Sequence, residues 1–276
     1  MCKMKEMTIN EIHEVTLKIM KEIHEFCMKN NIQYSLAYGS MIGAVRHKGF
    51  IPWDDDIDIW MTRPNYEKFT HTFKSKHGYR HSSMYDKDSL LCFDRVYEMD
   101  ETRIKMAFKP CDGDVGVFVD ILPLDGVPEN EKNRDKQYIS FSKKVTCLLH
   151  ARYWLRSIEC SDGWQKVNGF CHLVYNTIQR GGYRFAHKRM LEIAKEVNLE
   201  KSKFCCYFQC GDAYRKNKQE LLPTAFFNKY ILIDFEDTQF MVSEEYDRIL
   251  KLIYGDYMKL PPEEDRHHSH GNCYWK

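Results

Sequence analysis

Long apolar runs are missing from this 276-residue sequence. No window approaches the ~20 apolar residues that a bilayer-spanning helix needs, and the first residues, Met1 to Val15, contain no apolar stretch of signal-peptide length. A secretory leader and a membrane span are therefore not expected. Charge of one sign is missing too. Lys and Arg number 41 against 40 Asp and Glu, a net +1, so no strong field favours nucleic acid or an acidic membrane. Paired cysteine spacing is also absent. The 11 Cys are odd in number, irregularly placed and without a C-x-x-C, which fits neither a disulfide framework nor a zinc site and points to the reducing cytoplasm. No internal repeat or low-complexity segment interrupts a chain long enough to bury most of its apolar surface, as one large domain or a core with an appended subdomain.

What is present is concentrated in Tyr38 to Thr62, YGSMIGAVRHKGFIPWDDDIDIWMT. Gly39 and Ser40 open a short run of helix formers, Met41, Ile42, Ala44 and Val45. Gly39 permits a tight turn, and Ser40 is placed to cap the helix while its hydroxyl and the first amides face an anion. An ordinary capping turn is the plainer reading of the dipeptide taken alone. Asp56 and Asp58 follow on a β-type run. Strand side chains alternate, so both carboxylates project to one side while Ile57 and Ile59 enter a core. Their repulsion calls for a cation, and an oxygen-only pair with room for water and phosphate suits Mg²⁺ or Mn²⁺. A solvated acidic loop is the alternative for Asp54, Asp55, Asp56 and Asp58, but such loops rarely run straight into Ile, Trp and Met.

The run GSMIGAVRHKGFIPWDDDIDI resembles the signature of the LicD family, whose broader relatives include the fukutin-type proteins. FVDILPLDGVP (Phe118 to Pro128) and YGDYMKLPPEEDRHH (Tyr254 to His268) are similar to further family segments, whereas Glu129 to Tyr230 carries little resemblance. The family resembles nucleotidyltransferases of the polymerase-β-like fold, in which a Gly-Ser pair precedes an Asp-x-Asp and a third Asp comes from a later strand. This implies an α+β fold: a nucleotidyltransferase-like mixed β-sheet core flanked by helices, with a largely helical C-terminal half. One catalytic domain spanning 1–276 is implied, with 1–125 as the core and 126–276 completing the acceptor side. The implied site is Asp56, Asp58 and Asp120 on metal, with Gly39, Ser40, Arg46 and Lys48 toward the donor phosphate.

Elsewhere, residues 8 to 30 read as an amphipathic helix opened by a Thr8–Glu11 capping box, and Gln33 to Tyr38 reads as the strand delivering Gly39 and Ser40. Arg46, His47 and Lys48 close the short helix before Gly49, where positive charge complements the helix dipole and Gly terminates it. Reach from Arg46 or Lys48 to a donor phosphate is the functional alternative. Pro64 starts a second helix ending near His77-Gly78. Tyr79–Met84, Cys92–Glu98 and Arg103–Lys105 read as strands, and Gly116–Leu122 is the most apolar strand, with Asp120 inside it. An unpaired ionised Asp there is costly, and a metal partner removes the problem; a strand-end Asp on local amides is the plainer account. Asp125 beside Gly126 reads as a turn residue.

From Glu129 to Leu199 the pattern is mainly helical. Its aromatics, Tyr138, Phe141, Tyr153, Trp154, Trp164, Phe170, Tyr175, Tyr183 and Phe185, read as core, or in a smaller part as a sugar or choline pocket. Tyr230–Phe235 is a further strand, and Ser243 caps a helix stopped by Gly255. His267, His268 and His270 lack the Cys partners or i, i+4 placement of a zinc site and read as surface residues near the active site.

The function so indicated is metal-dependent phosphoryl chemistry. The resemblance adds the substrates: a phospho-substituent such as phosphocholine moves from a CDP-linked donor onto a cell-surface glycan or its lipid-linked precursor. The expected place is the cytoplasm, at the inner face of the membrane. The near alternative is transfer of NMP from a nucleoside triphosphate to a small acceptor. A glycosyltransferase Asp-x-Asp does not call for the Gly-Ser helix or Asp120. A calcium loop fails because its sixth position is Ile59 rather than Gly and its twelfth is Asn65 rather than Glu. In a haloacid-dehalogenase phosphatase the strand leads directly into the first Asp, whereas Pro52 to Asp55 intervene here.

Overall fold

A computed structural model of the chain describes residues 5–86, 91–105, 115–144, 163–164, 167, 170–171, 174–175, 182–208, 221–266 and 272–276, with only the backbone of Lys105 and of 182–187. A short strand β1 (Lys5–Glu6) leads into helix α1 (Ile9–Lys29), which begins at the expected capping box. Thr8 N–H donates to Glu11 Oε2 (2.8 Å), and Glu11 N–H donates to Thr8 Oγ1 (3.3 Å), satisfying two amides that no helical carbonyl can reach. The apolar stripe Ile12, Val15, Ile19, Met20, Ile23 and Cys27 is buried, each large aliphatic contributing about 1.5–3 kcal/mol by leaving water.

The central sheet is mixed. Strands β2 (Ser35–Leu36), β3 (Ile57–Thr62), β4 (Arg80–Ser82), β5 (Asp94–Tyr97) and β7 (Phe118–Val127) lie in the order β2-β3-β7-β5-β4, where β3 and β7 are parallel and the other pairs antiparallel. Strand β6 (Thr102–Lys105) leaves this sheet. β8 (Phe204–Cys206) pairs with the far end of β7, and β9 (Leu222–Pro223) with β8. Strand β7 is buried along its whole length. Pro123 is tolerated inside it because β5 reaches only to Ile121 and β8 begins at Asp125, so Pro123 falls in the gap between partners.

Alternation along these strands separates core from site. Ile57, Ile59, Val119, Ile121 and Val96 form one face, covered by α3 (Arg63–Thr72) and α1, whose Phe26 meets Phe69 and Phe73 edge-on at 6.0 and 5.1 Å. On that face Asp94 is fully buried and accepts bonds from Tyr66 Oη, His81 Nε2 and Met84 N–H. Asp58, Trp60 and Asp120 lie on the opposite face.

Asp125 is a strand residue rather than the expected turn. It belongs to β7, points to the α3 face and takes a two-pronged bond from buried Arg63 (2.7 and 2.6 Å). Beside it, Gly126 packs so closely on residues 197–199 that a Cβ would lie 2.9 Å from the Val197 carbonyl oxygen.

The C-terminal half is more mixed than its helical pattern indicates. Among its described residues, 131–144 (α4), Gly182–Ala194 (α5) and Tyr246–Tyr254 (α6) are helical, but β8, β9 and a hairpin of β10 (Tyr230–Phe235) and β11 (Thr238–Ser243) also lie there. The second hairpin strand went unread because Glu236-Asp237 is not a usual turn pair. Ser243 ends β11 and is not the helix cap; Glu245 holds that place, although the Ser243 hydroxyl accepts the Glu245 N–H. Gly255 closes α6 at φ +68° as expected. Tyr138 and Phe141 are core, whereas Trp164, Phe170 and Tyr175 are exposed. Tyr153, Trp154, the side chains of Tyr183 and Phe185, and the histidines at 267, 268 and 270 lie outside the described residues. A separate sheet sets β12 (Asn272–Trp275) between β1 and β6.

The Arg63–Asp125 pair yields a stability prediction. Asp125→Ala leaves a buried guanidinium uncompensated and should lower the unfolding free energy by about 3–5 kcal/mol in urea denaturation. A loss below about 1 kcal/mol would mean that water or Glu67 takes over the charge.

Candidate active site: carboxylates beside a buried arginine

The parallel pairing of β3 and β7 puts Asp58 in register with Asp120, and the antiparallel pairing of β7 and β5 puts Arg95 in register with Asp120. Three side chains from three strands thus stand in one row on one face. Arg95 is buried between the rings of Phe118 (3.6 Å) and Phe93 (5.6 Å), and its Nε and Nη2 reach the two Asp120 oxygens at 2.5 and 2.7 Å. The carboxylate in the apolar strand therefore has a protein partner. Its burial is thus met within the protein, and its place in the row beside Asp58 stands independently, set by strand register. The lone Arg within CFDRVYE was the overlooked sign, since a buried guanidinium needs a carboxylate as much as the reverse. Burial works to lower the Arg95 pKa, but Asp120, with Asp56 and Asp58, outweighs it and raises the value.

Asp58 has no such relief. Burial and the charges of Asp56, Asp120 and Asp54 push its pKa well above the ordinary carboxylate range, and Arg95 offsets only part of this. Asp56 lies just ahead of β3 and is buried, like Asp55. Asp54, Asp55 and Asp56 each bring an oxygen within 4.8 Å of the others, a tighter three-carboxylate group than the expected Asp56, Asp58 and Asp120. A crowded, all-oxygen set with one guanidinium among its neighbours matches what a hard divalent cation such as Mg²⁺ or Mn²⁺ requires.

The Gly-Ser segment is arranged differently from the expectation. Strand β2 ends at Leu36, and helix α2 (Tyr38–Ile42) has Ala37 at its N-cap, so Ser40 is a buried residue of the first turn and not the cap. Ser40 Oγ accepts the Asp58 N–H at 2.9 Å, stitching helix to strand and leaving its own proton to be donated. Tyr38 carries φ +43°, an uncommon strain for a bulky residue and one that clusters at functional sites. Gly39 serves a carboxylate: a Cβ there would lie 2.3 Å from Asp54 Oδ2.

Helix α2 continues as a π-helical turn over Gly43–His47. The left-handed residue that ends it is Lys48 (φ +61°) rather than Gly49. Lys48 is exposed, and Gly49 is needed because Glu236 Oε1 approaches to 2.0 Å of where its Cβ would be. Arg46 bonds the carbonyls of Tyr257 (2.7 Å) and Lys259 (3.4 Å) and its Nε meets His47 Nε2 (2.9 Å). The structure thus gathers Gly39, Ser40, Asp56, Asp58 and Asp120, while Arg46 stands toward the C-terminal segment.

Two residues not singled out in the sequence hold the loop entering β3. His13 stacks on Phe50 (4.0 Å), and its Nε2 lies 2.6 Å from the Asp54 carbonyl oxygen. Burial lowers the His13 pKa against the opposing pull of that carbonyl, Glu236 and Asp55, and because a carbonyl only accepts, Nε2 is the donor. Glu236, at the hairpin tip, accepts the Phe50 N–H (3.0 Å). No local motif announces such long-range contacts.

Comparison with known proteins places this geometry. Residues 31–158 match the family model described as LicD/FKTN/FKRP, nucleotidyltransferase domain. The chain is 31% identical over 287 aligned positions to the lipopolysaccharide cholinephosphotransferase LicD of Haemophilus influenzae, with 97% of each chain covered. It is also 34% identical over 142 positions to an uncharacterized protein of Rickettsia typhi, covering 49% of this chain and 43% of that one. The chain belongs to the LicD family of phosphotransferases.

Two outcomes follow from the carboxylate row. A carboxyl whose folded pKa is raised favours folding below its unfolded pKa, near 4, and loses that contribution as pH climbs toward its folded value. In metal-free protein Asp58→Asn should therefore raise the melting temperature at pH 7 by about 2 °C or more and flatten its decline with pH. A lower melting temperature would mean that the charged form of Asp58 is stabilised within the protein. Gly39→Ala should displace the Asp54 carboxylate and weaken Mn²⁺ binding measured by electron paramagnetic resonance, and unchanged affinity would remove Asp54 from any cation site.

Proposed function

We propose that this chain transfers phosphocholine, or a closely related phospho-alcohol, from a CDP-linked donor onto a cell-surface glycan or its precursor, with Mg²⁺ or Mn²⁺ as cofactor. The observation that carries the chemistry is the strand register that sets Asp58 beside Asp120 and Arg95, directly after the clustered Asp54, Asp55 and Asp56. The substrate reading rests on likeness along nearly the whole chain to an enzyme named for cholinephosphate transfer to lipopolysaccharide. The polymerase-β-like reading of the core and its pairing with an acceptor side in residues 126–276 belong to the same proposal. So does work beside a membrane; no helix among the described residues is long and apolar enough to cross one.

Asp56, Asp58 and Asp120 would hold the divalent ion, with Asp54 next to them, and the ion would supply charge stabilisation to the phosphates as they react. The Ser40 hydroxyl, fixed by the Asp58 amide, donates to a donor phosphate oxygen. Arg95 holds Asp120 in a two-pronged bond, so that the row is set before substrate arrives. A carboxylate of the Asp54–Asp56 run takes the proton from the acceptor hydroxyl as its oxygen attacks the choline-bearing phosphorus in line. The bond from that phosphorus to the bridging oxygen breaks, the electron pair stays with that oxygen, and CMP departs.

Product analysis tests this directly. Turnover of CDP-choline with a lipopolysaccharide acceptor should release CMP in step with phosphocholine incorporation and no pyrophosphate. Asp58→Asn and Asp120→Asn should lower kcat about a thousandfold, equivalent to about 4 kcal/mol of transition-state stabilisation. Pyrophosphate release from a nucleoside triphosphate, with no CMP from any CDP donor, would replace the proposal with nucleotidyl transfer.

A further inference from the structure

The carboxylate row repels a diphosphate, so a donor carrying one needs a cationic grip that the row does not supply. Two guanidiniums stand where the chain leads into it, on the side of Trp53. After Gly255 the chain turns back across the π-helical turn: Tyr257 is buried with its hydroxyl on Asp247 (2.8 Å), and the carbonyls of Tyr257 and Lys259 receive Arg46. Further along, the Arg266 Nε donates to the Pro261 carbonyl at 3.0 Å, which sets its guanidinium over the Trp53 ring at 5.4 Å. Trp53 immediately precedes Asp54 and meets His47 edge-on at 6.3 Å.

This arrangement puts like charges together. The Arg46 pKa is lowered, first by burial and then by Arg266. Among the described residues no carboxylate pairs with Arg46, and the acid nearest Arg266 is Glu263, 3.9 Å away with its side chain 89% exposed. The contact with Trp53 accounts for the position of Arg266 but does nothing for its repulsion with Arg46. An anion between them would. Arg46 uses Nε and Nη1, and Arg266 uses Nε, in bonds that fix their planes, which leaves Arg46 one nitrogen, Nη2, for a phosphate oxygen and Arg266 the Nη1 and Nη2 pair in the forked geometry that guanidinium favours.

We propose that Arg266, carried over Trp53 by residues 255–266, joins Arg46 in a subsite that grips the donor diphosphate beside the carboxylate row. This rests on the CDP-donor reading for the identity of the ligand but not for the existence of the subsite. Arg266 is then a binding residue contributed by the C-terminal segment, and donor affinity depends on that segment lying across the π-helical turn.

The test compares wild type with Arg266→Gln and Arg266→Lys, using calorimetry with CDP and with pyrophosphate, and steady-state kinetics with CDP-choline. Arg266→Gln should weaken CDP and pyrophosphate about tenfold or more and raise the KM for CDP-choline more than it lowers kcat, a split that damage to the fold would not produce. Arg266→Lys should fall between, because it keeps the charge and loses the fork. Wild-type affinity for both probes in Arg266→Gln overturns the subsite. If that variant unfolds, the lysine variant decides, and its unchanged affinity is equally fatal. Pyrophosphate binding that depends on Arg266 in a protein that turns over no CDP donor would leave the subsite standing while the donor reading falls.

Discussion

The register between two parallel strands governs this molecule. Because β3 and β7 run side by side with Asp58 opposite Asp120, two carboxylates share a small space, and only one of them receives the guanidinium. A one-residue slip would turn both into the helix-covered core and bring Ile57 and Ile59 out. The apolar row on the far face is therefore what enforces the acidic row on the near face. Arg95 lowers the electrostatic cost without abolishing it, so the fold keeps a standing demand for positive charge at Asp58.

The surroundings hold that demand in place from several directions. Helix α1 reaches the acidic loop through His13, the hairpin tip through Glu236, and helix α2 through Ser40 and the bare Cα of Gly39. These contacts come from segments far apart in the chain, and each acts on main-chain atoms or on the space beside one carboxylate. They are the kind of outer support that the proposed chemistry needs to hold its carboxylates in place. A π-helical turn and a left-handed tyrosine sit in the same segment, in keeping with strain held where function needs unusual geometry.

Local signals in the sequence were faithful wherever a rule acts over a few residues. The Thr8–Glu11 box, the Gly255 stop and the alternation through Ile57, Asp58 and Ile59 all rest on neighbours within one or two turns, and all appear as read. The strands of the sheet were likewise legible from their apolar runs, while its mixed character came from the family resemblance. Misreadings arose where a distant partner decides. Asp125 resembled a turn residue because Arg63 is invisible from its own neighbourhood, and Asp120 seemed unpaired because Arg95 lies on another strand. Ser40 had the composition of a cap, but the Asp58 amide competes for its oxygen. The helical pattern of the second half hid a hairpin whose turn uses Glu and Asp.

The small sheet outside the core has a kinetic implication. Strand β12 lies between β1 and β6, so residues 272–275 bridge strands near residues 5 and 102. Such pairings have very high sequence separation and form late, because a long loop must close before any bond rewards it. During synthesis the helix α1 entry and the edge of β6 must wait until residues 272–275 have left the ribosome before these pairs can form. Closure of that sheet thus ties three segments distant in sequence, 5–6, 102–105 and 272–275, into one small unit apart from the strands that carry the carboxylates.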